Sequence, residues 1–147
     1  MLLRCVLGEP GALRLADLDP GHTSALAEVE CLRTLDRLHR KGKLTPDGLA
    51  ARRAAIFDVV EALEVVDLSA SVLRRAAEPF PTTLGTRDAL HLATALLWQE
   101  RHPREQAPFA THHGELARAA RACGLEVVGV ETPKPARRRT RRTGGEG

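Results

Sequence analysis

The stretch Thr86–Leu97, TRDALHLATALL, constrains this chain most. Ala89, Leu92, Ala93, Leu96 and Leu97 recur at steps of three and four, which predicts a helix with one apolar face. Gly85 breaks whatever precedes it. The Thr86 hydroxyl is suited to cap the helix by accepting from an unpaired backbone N–H. Asp88 then falls in the first turn, where the helix dipole favours an ionised carboxylate. Two readings are open for it. It either caps and steadies the helix, or it is a carboxylate held in place for a hard cation.

The chain around this segment alternates helical and extended pieces. Met1–Leu7 reads as the end of a helix, Gly8–Gly11 as a turn, and Ala12–Leu18 as a short helix closed by Asp19-Pro20-Gly21. His22-Thr23-Ser24 is a short extended piece, with Thr23 or Ser24 capping a helix over 25–40 that Lys41-Gly42-Lys43 closes. On that helix Leu26, Glu30, Arg33 and Arg37 share one line, beside an apolar face of Ala25, Val29, Leu32 and Leu35. Thr45-Pro46 starts a helix running to about Ala62, with proline at its first position. Residues 63–68 form a strand, and Ser69 caps a helix to Glu78. The Asp88 helix ends near Arg101-His102-Pro103. Residues 107–111 form a strand, 113–123 a helix ended by Gly124, and 125–130 the last strand. Strands spaced by helices predict an α/β domain with a parallel sheet in a three-layer sandwich over residues 1–131. Sites in such sheets form where strands end and helices begin. Asp88 and His113 open two helices and Glu30 lies early in a third.

Composition narrows the function classes. Aromatic residues are 3% of the 147, which excludes an aromatic platform for stacking bases. Cys5, Cys31 and Cys123 form neither a disulfide framework nor a zinc-type spacing, so a reducing cytoplasm is the expected setting. No apolar run approaches the ~18 residues of a membrane span. Lys134, Arg137, Arg138, Arg139, Arg141 and Arg142 face only Glu146 in the last fifteen residues, a net +5, so the remainder carries −2 of the chain's +3. Residues 132–147 are therefore expected to be a basic, disordered tail, serving either nucleic-acid contact or solubility. A nucleotide-binding reading has neither a G-x-x-x-x-G-K-[ST] loop nor a G-x-G-x-x-G turn behind it.

Five pieces together carry a resemblance. They are LRCVLGEPGA (3–12), TSALAEVECLR (23–33), TRDALHLATA (86–95), FATHHGELA (109–117) and AARACGLEVVGV (119–130). In this order the chain resembles a PIN-domain protein of the VapC toxin type. The resemblance implies a three-layer α/β/α fold and a Mg²⁺- or Mn²⁺-dependent endoribonuclease. It also implies an RNA substrate, a cognate antitoxin and a homodimer. It makes Glu30 and Asp88 the catalytic, metal-holding carboxylates. Arg33 and His91 match positions beside the site, where Arg33 either orients Glu30, contacts phosphate or forms a structural ion pair, and His91 packs in the helix. Such carboxylates on separate elements suit an ion that takes oxygen ligands and keeps several waters.

Two departures accompany the resemblance. The family's opening strand with its aspartate has no counterpart, because the chain starts at Met1-Leu2-Leu3-Arg4 inside the helix that follows it. The expectation is a start upstream of Met1, coding for a short apolar run and then Asp-Thr or Asp-Ser. His113 stands where the last aspartate is usual, in Thr111-His112-His113, with Glu115 two residues on as a partial substitute. Imidazole suits Mn²⁺ better than Mg²⁺. With two of four acidic positions absent, the alternative is a PIN-fold protein that keeps dimer, antitoxin or RNA binding without chemistry.

Overall fold

Side-chain caps set three of the six described helix starts. A computed structural model describes residues 2–8 and 21–130, and the expectations for 9–20 and 131–147 lie outside the described residues. Helix α1 is Leu2–Leu7. Strand β1, His22–Ser24, runs directly into α2, Ala25–Arg40, where Ser24 caps the helix by accepting from the Leu26 N–H at 3.3 Å. Thr45 caps α3, Pro46–Glu61, with proline in its first turn, and Ser69 caps α4, Ala70–Ala77. Strand β2, Glu64–Val66, lies between α3 and α4. Helix α5, Thr86–Arg101, is followed by β3, Phe109–Ala110, then α6, Gly114–Ala122, and β4, Val127–Val128. Gly42 (φ 67°) and Gly124 (φ 89°) follow the ends of α2 and α6 in the left-handed conformation that only glycine adopts without strain. No described helix is long and apolar enough to cross a membrane.

Two local expectations are corrected. Gly85, not Thr86, is the N-cap of α5, so Thr86 is already helical and no side chain caps this end. Glycine is tolerated at that position, and the shift makes Asp88 the third helical residue. On α2 the buried side chains are Cys31 and Leu35, whereas Val29 is 54% exposed. The periodicity is right, but the buried stripe is rotated toward α1 and α3, which supply the partners. Leu35, Cys31 and Ile56 form that core, with Leu3, Val6 and Leu49 packed around it.

Helix α5 is buried on more than the single stripe its pattern predicts. Ala89, Leu92 and Ala93 are buried, and so are Thr94, Ala95 and Trp98. Leu92 packs on Leu116, Ala119 and Ala120 of α6. The Thr94 hydroxyl donates to the Leu90 carbonyl at 2.8 Å, so its burial strands no donor.

The strands pair in parallel, as two separate ribbons. His22, Thr23 and Ser24 align with Glu64, Val65 and Val66; Phe109 and Ala110 align with Val127 and Val128. Among the described residues no strand joins β1 to β3. Instead β1 and β3 line a common cavity of about 590 Å³.

Trp98 ties α5 to the first ribbon. Its ring stacks on His22 at 3.9 Å and on His102 at 4.3 Å. Its indole N–H donates to Glu64 Oε2 at 2.8 Å. Burial lowers the His22 pKa below 6.5, opposed by Glu64 and aided by His102, and His22 Nδ1 is buried without a partner. The unfolded chain therefore binds this proton more readily than the folded one. Stability is full above pH 6.5 and falls as the pH drops through that value toward the lower folded pKa. Urea denaturation at pH 7.5 and 5.5 tests this. The loss of stability at pH 5.5 is larger for the wild type than for His22→Phe, which keeps the stack without the titration. In the same assay Leu92→Ala costs about 2–5 kcal/mol, while Val29→Ser stays within ~0.5 kcal/mol.

Candidate functional site

Three chain segments bring polar groups to one rim of the cavity. Ser24, itself 4% exposed, ends β1 and starts α2, which sets Glu30 in the second turn with its side chain 27% exposed. Gly85 starts α5, which presents Arg87 and Asp88 in its first turn and His91 one turn further on. Buried Thr111 follows β3, and its hydroxyl accepts from the His113 N–H at 3.1 Å. That bond holds His113 as the N-cap residue of α6 in an extended conformation. Glu30, Arg87, Asp88, His91 and His113 all line the cavity.

The acids do not stand alone at this rim. The Arg87 guanidinium donates to Glu30 Oε1 at 3.1 Å, and His91 Nε2–H donates to Glu30 Oε2 at 2.7 Å. His113 Nδ1 lies 2.7 Å from Asp88 Oδ2. Both Glu30 oxygens thus accept from nitrogen donors, and one Asp88 oxygen has an imidazole nitrogen beside it. These contacts join elements remote in sequence, which makes them informative about the site rather than incidental to one helix face.

Two residues singled out from the sequence stay away from the rim. Arg33 turns along α2 to Asp36 at 3.3 Å, its side chain 73% exposed, and does not orient Glu30. Asp36 sits one turn away on the same exposed face and is the nearer partner. Glu115 pairs with Arg118 one turn on along α6 and does not line the cavity. Arg87 does the work assigned to Arg33, and sequence reasoning passed over it. Its signal was the spacing Arg87-x-x-x-His91, which puts both on one side of α5 facing one neighbour. His91 reaches Glu30 rather than only packing in its helix.

Cys31 lies beside Glu30 and lines the cavity, but it is a poor nucleophile. Burial above all, with the Glu30 charge adding to it, pushes its thiol up to about 11.

The donor chemistry fits a hard cation in one specific way. Among the described residues no three His, Cys, Asp or Glu side chains group so as to hold a metal ion. Two carboxylates nevertheless border one cavity beside a guanidinium. Mg²⁺ is commonly held through one or two carboxylates, several waters and the phosphates of a substrate rather than by an all-protein cage. Glu30 and Asp88 suit that arrangement.

Comparison with curated proteins gives no match. Residues 2–101, more than half of the chain, match the family model of the PIN domain. The matched span contains Glu30, Arg87, Asp88 and His91 and ends before His113. PIN domains have a three-layer α/β/α fold, to which the short parallel strands and surrounding helices conform. They form a nuclease-like family that generally binds RNA and uses divalent metal ions. This chain belongs to the PIN-domain family.

Proposed function

We propose that this protein is an endoribonuclease of the VapC toxin type, acting on RNA phosphodiesters in the cytoplasm and restrained by a cognate antitoxin. The observation that supports the reading is that Glu30 and Asp88, from two helices joined by the Arg87–Glu30 bond, both line one cavity. Glu30 and Asp88 would hold Mg²⁺ or Mn²⁺, which polarises the phosphodiester and makes water a stronger nucleophile. Arg87, 78% exposed and using a single N–H on Glu30, is placed to grip an RNA phosphate with the remaining fork of its guanidinium. The six cations of residues 133–147 add sequence-independent attraction to the RNA backbone. A homodimer is part of the proposal.

One observation favours a second reading. His113, not a carboxylate, faces Asp88, and every acid at the rim is already paired. On this reading the protein binds RNA or an antitoxin and cleaves nothing.

Cleavage of RNA by the purified chain with Mn²⁺ or Mg²⁺ separates the two. The first reading expects cleavage that Asp88→Asn or Glu30→Gln lowers by more than ~100-fold, beyond the ~10–100-fold typical of a residue acting through a neighbour. Thermal unfolding of each variant should shift by no more than ~4 °C, because half-exposed pairs contribute about 1 kcal/mol or less. RNA binding without cleavage at any ion concentration favours the second reading.

A further inference from the structure

Charge is unevenly spread along the chain. Residues 33–43 hold Arg33, Arg37, Arg40, Lys41 and Lys43 against Asp36 alone, a net +4. The rest of residues 1–132 carries −6. These five cations are all exposed, the Arg33 and Arg40 side chains at 73% and 75%. On α2, Glu30, Arg33, Arg37 and Arg40 recur at steps of three, four and three, which sets them along one side of the helix. Arg33 to Arg40 covers about 10 Å of the helix axis. The helix dipole favours cations in the last turn, which accounts for Arg37 and Arg40. It does not account for Arg33 earlier in the helix or for Lys43 beyond its end.

This row begins at the cavity. Glu30 and Thr34 of α2 line it. The Arg37 guanidinium donates to the Thr34 hydroxyl at 3.1 Å, and Arg87 donates to Glu30 at 3.1 Å. Arg33 and Arg40 both reach Asp36, at 3.3 and 3.2 Å. One carboxylate between two guanidinium groups leaves the cluster cationic, with N–H donors to spare. We propose that the exposed side of α2, from Arg33 to Lys43, is a track for the RNA phosphate backbone that continues from Arg87 at the cavity rim. This deepens the proposed reading and rests on its RNA partner. A guanidinium presents paired N–H donors that match two phosphate oxygens, and its charge persists at every working pH. The remainder of the domain is acidic and repels a polyanion, so a local excess of +4 that ends at the rim sets the direction from which RNA approaches. The track residues hold the strand and touch none of the reacting atoms.

The test is the salt dependence of RNA binding by the full chain. It is read by fluorescence anisotropy of a labelled single-stranded oligoribonucleotide, with EDTA present so that no cleavage enters. The wild type is compared with a triple variant, Arg33→Gln, Arg37→Gln and Arg40→Gln. A second triple variant, Arg53→Gln, Arg74→Gln and Arg104→Gln, removes the same charge from other exposed positions. Each lost phosphate contact lowers the slope of log Kobs against log salt by about 0.7 on a single strand, so the α2 variant loses about 2. Its binding weakens alike for oligonucleotides of different sequence. The second variant keeps a slope within about 0.7 of the wild type. Asp36→Asn, which removes the one acid of this segment, tightens binding. If the α2 variant keeps the wild-type slope, or both triple variants lose slope equally, the track is overturned. If the α2 variant loses binding to labelled polyglutamate but not to RNA, the surface serves an acidic protein segment and the RNA track is likewise overturned. The outcome is separate from that of the nuclease reading. Cleavage that Asp88→Asn abolishes upholds the nuclease without the track, and loss of slope in a chain that cleaves nothing upholds the track without the nuclease.

Discussion

Helix α5 is packed against α4, β1 and α6, and it lines the cavity from Arg87 in its first turn to Gln99 near its end. That packing governs the site. Ala89, Leu92 and Ala93 lock the helix in position, and Trp98 fixes its far end by stacking on two imidazole rings. Arg87, Asp88 and His91 are then held at the near end by a scaffold whose rotation would strand several buried side chains at once. A site built on such a helix tolerates little drift, which suits groups that must meet within hydrogen-bonding distance.

The electrostatics of the rim follow from the same packing. The Glu30 and Asp88 carboxylates, 27% and 24% exposed, lose much of their hydration there. Arg87 and His91 offset that loss by donating to Glu30, and the His113 imidazole lies beside Asp88.

The helices were legible because their signals are local. Ser24, Thr45 and Ser69 cap helices where a hydroxyl before an apolar run predicts it, and Gly42 and Gly124 follow helix ends as their left-handed φ requires. Rotation about each helix axis was less legible. Val29 and Cys31 are both apolar and two residues apart, and α1 and α3 chose between them. On α5 the pattern of small residues hid a second buried side, since Ala95 and Thr94 give a weak periodic signal. The strands were placed correctly but drawn too long, because each has a ladder partner on only one side among the described residues.

Sequence alone determined the alternation of helices and strands, the capping residues, and the candidacy of Glu30 and Asp88, since each depends on neighbours within one or two turns. The tertiary structure decided the partners. Arg33 had Asp36 within reach on its own helix, so Arg87 became the cation beside Glu30, and His113 met Asp88 only because β3 and α6 carry it to the start of α5. Contacts between residues some 25 to 60 positions apart depend on how whole elements pack, and no local spacing encodes that.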